Sequence, residues 1–263
     1  MIVDSHCHAS SRWYEPVDTL LFNMDRCGVD RAILVQLLGS TNNADMIAAC
    51  RAHPDRFAFV AAIDPAAPDA AQALARAVDS GARGLRMRAG WRQAQGDPLA
   101  LWRMVEMAGL RVSMVGPVAS FTDGSLAEVA AACPALHIIV EHLGGLARPD
   151  VGNRMAALPH LIALAHHANV AVKLPGLGQI APRNADFDAG ERPIDMTCVH
   201  DLLAPVIGAF GADRLLWGSD FPPVASREGY ANALNWTRDF IGRHWPEAVQ
   251  GCFGGTARRI FGF

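Results

Sequence analysis

The chain has 263 residues, 51% of them hydrophobic and 19% charged, with a formal net charge of −3. That is ordinary globular composition. It offers no basic block or stripe for a nucleic acid and no apolar run near the roughly 18–20 residues that cross a bilayer. The N-terminus lacks the basic region and apolar core of a secretion signal, and the six cysteines form no CxxC pair. The expectation is a cytoplasmic protein with reduced thiols and no membrane or nucleic-acid partner.

Eight short apolar runs can be marked in chain order: 2–8, 31–36, 57–64, 82–89, 111–117, 137–142, 170–174 and 214–220, their starts 25 to 44 residues apart. Alanine-rich stretches with helical spacing lie between them, among them 69–80, 125–133 and 155–168. Strand–helix alternation implies βαβ units and a parallel sheet. Eight such units in about 250 residues is the count of a (β/α)8 TIM barrel, here expected as one domain over 1–263. A doubly wound dinucleotide fold lacks its main signal, because no G-x-G-x-x-G follows the first run. Gly28, Gly81 and Gly109 stand where a helix ends before a strand, which suits a left-handed cap. The closing segment Gly254–Phe261 reads as a short helix that seals the barrel.

Barrel active sites lie at the C-terminal ends of the strands. The first run ends His6-Cys7-His8. Because side chains alternate along a strand, the histidines share a face and Cys7 points the other way, as a small buried hydrophobe and not a nucleophile. Later ends carry Gln36, then Asp64 in a turn with Pro65, then Arg86 and Arg88, then Glu141-His142-Leu143-Gly144-Gly145, then Lys173, then Asp220. Taken singly, His142 reads as the cap of a turn and Asp220 as a loop carboxylate bonded to backbone N–H groups. Taken together, three histidines, two arginines, a lysine and an aspartate at one barrel mouth read as a catalytic pocket. Arg86 and Arg88 flank Met87 and share a face. Buried arginines need anionic partners, and an internal carboxylate and a substrate carboxylate both qualify. The long polar stretch from Pro175 to about Met196, with Gln179, Arg183, Asn184, Asp186, Asp188, Glu191 and Arg192, reads as a lid. Trp91, after the fourth run, suits stacking on a ring substrate and loop packing equally.

With these residues the chain resembles the amidohydrolase superfamily, in its amidohydrolase 2 branch. The resemblance rests on Asp4-Ser5-His6-Cys7-His8, on Glu141-His142-Leu143-Gly144-Gly145, and on the stretch from Phe210 to Pro222 containing Trp217-Gly218-Ser219-Asp220-Phe221-Pro222. It implies that His6, His8, His142 and Asp220 surround the catalytic centre. Metal-dependent members usually add a histidine on the fifth strand, where this chain has Val115 and Gly116. The thin ligand set looks more like the pyrone dicarboxylate and sugar lactonases of the branch. It implies either one divalent metal, zinc first, on His6, His8 and Asp220, or catalysis without a metal.

The function expected from this reading is hydrolysis of a small carboxylate-bearing lactone or ester. Asp220 acts as general base on water. His6, His8 and His142 polarise the carbonyl, and Arg86, Arg88 and Lys173 hold substrate carboxylates. A metal-dependent decarboxylase or hydratase of an unsaturated dicarboxylate is the first alternative, and a non-catalytic ligand-binding barrel the second. The expected partner is a small, anionic molecule, and a homo-oligomer is compatible with the sequence.

Overall fold

The computed structural model describes residues 1–148, 150–181, 183–185 and 193–262. Its eight strands are β1 (Val3–Cys7), β2 (Arg31–Val35), β3 (Phe57–Ala61), β4 (Gly84–Arg88), β5 (Arg111–Val115), β6 (Ile138–Val140), β7 (Val170–Leu174) and β8 (Leu215–Trp217). All pair in parallel and in chain order. Between β1 and β8 closure runs through a parallel bridge of Cys7 with Phe221. His8 N donates to Phe221 O at 2.8 Å and Asp220 N to His6 O at 2.8 Å. The expected (β/α)8 barrel is present, with each strand inside its predicted run.

Helices α1 (Val17–Cys27), α2 (Ala44–Ala52), α3 (Ala70–Asp79) and α4 (Ala100–Met107) follow the first four strands. Two helices, α5 (Ala119–Thr122) and α6 (Ser125–Ala132), follow β5, and α7 (Arg154–Ala163) follows β6. After β7 come α8 (Leu177–Ile180) and α9 (Met196–Phe210), and after β8 come α10 (Tyr230–His244) and α11 (Thr256–Phe261). Gly28, Gly81 and Gly109 have φ of 65°, 89° and 67°, the left-handed turn from helix to strand that suits glycine. Among the described residues no helix is long and apolar enough to cross a membrane.

Strand residues of one parity pack outward under the helices. Leu34, Phe59, Leu85, Met114 and Trp217 belong to that outer core. Those of the other parity fill the lumen, where Val3, Ile33, Val60, Ile139, Ala171 and Leu216 meet Ala257, Ile260 and Phe261 of α11. The last helix therefore closes the N-terminal end of the barrel with apolar side chains. Strict alternation in β1 would place Val3 on the Cys7 side. A register shift between Asp4 and Cys7 changes parity, so Val3 joins the lumen core while Cys7 joins the outer one. Bulges commonly re-aim side chains beside active sites. Cys7 is buried, its Sγ reaches Ile33 O at 3.4 Å, and burial pushes its thiol well above the ordinary range.

Candidate active site

Above the apolar floor, the lumen holds a polar layer drawn from four strands. Arg86 from β4 grips Glu141, just past β6, with Nη2 at 2.7 Å from Oε2 and Nε at 3.1 Å from Oε1. Its Nη1 donates to Gln36 O at 2.9 Å. Ser113 of β5 donates to Glu141 Oε1 at 2.6 Å and accepts from Lys173 Nζ of β7 at 2.8 Å. Glu141 is 1% exposed and Lys173 2%, so these charges are stabilised chiefly by one another. Burial opposes the charged form of Glu141, but Arg86 and Lys173 outweigh it and hold the carboxyl at about 2. Burial pulls Lys173 down to about 8, against the pull of Glu141.

Lys173 Nζ also lies 3.0 Å from His6 Nδ1, and this contact joins the layer to the mouth. His6 and His8 arrive from β1, His142 from the turn after β6, and Asp220 from the loop after β8. Their rings cluster edge-on, with His6 4.9 Å from His8 and 4.7 Å from His142 between centroids. All three present Nε2 to one oxygen, Asp220 Oδ1, at 3.8, 3.6 and 3.9 Å respectively. The other oxygen, Oδ2, accepts from Arg227 Nη1 at 3.1 Å.

Local backbone makes this convergence. Residues 142–145 all have positive φ, from 49° at His142 to 84° at Gly145. Two glycines ease this left-handed turn, while each non-glycine residue in it costs roughly 1–2 kcal/mol. Asp220 is likewise left-handed at φ 58°. Gly218 leaves room for β1, since a Cβ there would lie 2.6 Å from His6 Cβ. Asp4, buried behind the site, accepts from Ser219 N (2.9 Å), Ser219 Oγ (2.6 Å) and Tyr230 OH (3.0 Å), tying β1 to the loop that carries Asp220.

Burial lowers the His6 pKa strongly, with the Lys173 charge adding to it. Burial also lowers that of His142, against the pull of Asp220 and Glu141. Burial works against Asp220 too, but His8, His142 and Arg227 outweigh it and hold the carboxyl at about 2. At neutral pH the cluster is thus a carboxylate faced by imidazoles, with His6 and His142 neutral. Among the described residues, His6 Nε2 is buried with no hydrogen-bond partner. His8 Nδ1 is held by Val35 O at 2.7 Å, which leaves its Nε2 facing Asp220. The nitrogens of His6 and His8 with a carboxylate oxygen of Asp220 form a group able to hold a metal ion, and this donor set fits a divalent cation.

The mouth opens into a cavity of about 780 Å³ lined by His8, Asp220, Arg86 and the loops after β1 and β2. Arg12 and Trp13 of that lining are exposed, and Tyr14 stands 5.8 Å from the His8 ring. Arg88, at the end of β4, is exposed. Neither Arg12 nor Arg88 makes an ion pair with the described residues. Of the polar strand ends, Asp64 is turned away into its own loop, where Oδ1 accepts from Ala66 N at 3.0 Å. Trp91 packs on Trp102, with centroids 6.4 Å apart. Of the lid stretch, Arg183 and Ile194 form an isolated bridge, while Asp186, Asp188, Glu191 and Arg192 lie outside the described residues. Sequence reasoning did not single out Ser113, Tyr14, Arg227 or Glu141 as site residues. Only Glu141 had a signal, its place beside His142 at a strand end.

A family profile described as amidohydrolase matches residues 3–263. The chain belongs to the amidohydrolase family. A curated relative, L-fucono-1,5-lactonase of Burkholderia ambifaria, is 33% identical over 134 residues, which are 49% of this chain and 42% of that protein. The match thus spans under half the length of that curated relative. An amidohydrolase from Burkholderia multivorans with bound zinc superposes with a TM-score of 0.78 at 21% identity, covering 100% of this chain and 99% of the other. A protein from Pseudomonas putida described as a putative 2-pyrone-4,6-dicarboxylic acid hydrolase gives 0.74 at 22% identity, with coverage of 99% and 97%. At these identities the two structures show the shared fold.

Proposed function

We propose that this amidohydrolase hydrolyses a small lactone that carries a carboxylate. The observation that carries the reading is the convergence of three imidazole Nε2 atoms within 3.6–3.9 Å of one oxygen of Asp220 at the barrel mouth. The partly matching sugar lactonase and the dicarboxylate hydrolase of the same fold support the substrate class.

In this reading Asp220 is the general base. Its carboxylate is ionised across the neutral range, and it takes a proton from water as the nucleophile forms. His142 lies outside the three-ligand group and is 18% exposed in its side chain. As a neutral imidazole it stands at the carbonyl oxygen and stabilises the charge that develops there. His6, His8 and Asp220 are the residues that would hold a divalent metal, zinc first. Bound there, such an ion supplies carbonyl polarisation and a more acidic water.

The substrate carboxylate goes to a cation at the rim. Arg86 has its donors on Glu141 and Gln36, and Lys173 is engaged with Ser113 and His6. The two sit beneath the mouth as its support. Arg88, at the end of β4, and Arg12, in the cavity lining, are exposed, and they anchor the anion.

The test compares L-fucono-1,5-lactone, which is neutral, with 2-pyrone-4,6-dicarboxylate, a dianion, alongside a wider lactone panel and a metal analysis of the purified protein. Hydrolysis of an acidic lactone, lost in Asp220→Asn, is the expected result. Decarboxylation of an unsaturated or aromatic acid with no lactone turnover would replace the hydrolase reading. Near-normal turnover by Asp220→Asn would reduce the aspartate to a structural role.

A further inference from the structure

The loop after β8 carries two charged residues that the family motifs do not include. Arg227 Nη1 donates to Asp220 Oδ2 at 3.1 Å, the oxygen turned away from the imidazoles. Its Nε lies 3.4 Å from Glu228 Oε2. The Glu228 side chain is 2% exposed. Gly176 and Gly178, in the stretch after β7, press against this carboxylate. A Cβ on Gly178 would overlap Glu228 alone, at Oε2, with Cδ at 2.7 Å. A Cβ on Gly176 would overlap Glu228 and Ala233 together. A buried acid with two glycines moulded to it, one ion pair removed from the central carboxylate, has no role in the mechanism above.

Geometry supplies a role. The terminal torsion of an aspartate is broad, and Asp220 sits on a left-handed backbone that does not itself select a carboxylate plane. With Oδ2 free, the plane samples orientations in which neither oxygen faces all three imidazoles. We propose that Arg227 and Glu228 are positioning residues for Asp220: Arg227 occupies Oδ2 so that Oδ1 alone meets the Nε2 atoms of His6, His8 and His142, and Glu228, seated against Gly176 and Gly178, fixes Arg227. The loops after β7 and β8 thereby act on the centre through one guanidinium. This inference rests on Asp220 being the base.

Arg227→Met, Arg227→Lys, Gly178→Ala, Glu228→Ala and the Gly178→Ala/Glu228→Ala pair are assayed on the two lactones named above. Loss of one charged hydrogen bond corresponds to a drop of about tenfold to hundredfold. The expected result is a fall of that size in kcat for Arg227→Met on whichever lactone turns over, with KM little changed and most of kcat restored in Arg227→Lys. Gly178→Ala should lower kcat as Glu228→Ala does, and the pair should be no worse than Glu228→Ala alone, because the overlap then has no second partner. A rise in KM confined to the dicarboxylate, with kcat kept, would make Arg227 a substrate anchor and overturn the proposal. An unchanged kcat in Arg227→Met beside an inactive Asp220→Asn overturns it while sparing the base. An active Asp220→Asn removes both. A crystal structure of Arg227→Met decides independently of turnover: Asp220 Oδ1 should leave its position among the three Nε2 atoms, and an unmoved carboxylate sinks the idea.

Discussion

The lumen of this barrel holds two polar layers, one above the other, each built around a buried carboxylate. In the lower layer Arg86, Glu141, Ser113 and Lys173 use their donors and acceptors on one another. In the upper layer three imidazole nitrogens surround a carboxylate oxygen at 3.6–3.9 Å, too far for hydrogen bonds. Burial separates them little: Glu141 is 1% exposed and Asp220 7%. What separates them is satisfaction. A buried charge with its bonds filled is a structural part, whereas unfilled donors aimed at one point are what a substrate or an ion can use.

The largest effect is expected from breaking the lower layer. Glu141→Gln leaves the Arg86 and Lys173 charges without their carboxylate, and one broken buried pair typically costs about 3–5 kcal/mol, measurable by urea denaturation. The pH dependence carries the same signature. Glu141 has its pKa lowered from 4.5 to about 2, so its contribution is complete above about pH 4.5 and is lost as pH falls towards 2. Asp220, lowered from 3.8 to about 2, loses stability over the same range. Denaturation at pH 5 and pH 3 should show a large difference in the wild type and a smaller one in Glu141→Gln. Equal differences would mean that the lower layer is not the acid-sensitive part.

Breaking the upper layer should do the reverse. Asp220→Asn keeps an acceptor for Arg227 while removing the proposed base, so kcat falls about 10²–10⁴-fold and the denaturation midpoint falls by less than in Glu141→Gln. A matching loss of stability would erase the distinction between the layers.

Lys173 tests the join. As the partner of His6 Nδ1, its replacement in Lys173→Met should lower activity by about 10–100-fold, the usual cost of removing an outer-shell partner, with KM for a dicarboxylate unchanged. A KM effect restricted to acidic substrates would return Lys173 to substrate binding. The smallest change in the protein itself is expected for Arg88→Met at the exposed rim. One charged hydrogen bond is worth roughly 1.5–3 kcal/mol, or about a tenfold to hundredfold loss of kcat/KM on the dicarboxylate. Neutral lactones and thermal stability should be untouched. Equal losses on both lactones, with a lower Tm, would place Arg88 in the supporting layer.

Much of this molecule could be read along the chain. Apolar runs bounded by turn residues placed all eight strands, because strand and helix periods are local properties of sequence. The count of alternating units set the barrel, and its rule that active sites lie at strand C-termini put His6, His8, His142 and Asp220 at one mouth. Side-chain parity also put Arg86 and Arg88 on one face. Parity says which face a residue occupies and is silent on what stands opposite. Arg86 meets Glu141 across 55 residues of chain, Lys173 meets Ser113 across 60, and His6 meets Lys173 across 167. Those partners are chosen by the curvature and stagger of the closed sheet, so only the folded barrel decided that Arg86 is engaged with Glu141 and Lys173 with Ser113 and His6 while Arg88 stays exposed. The shift in β1 that turns Val3 and the histidines to the same side, and the loop that delivers Arg227 to Asp220, likewise depend on contacts with neighbouring strands and loops. No local period encodes them.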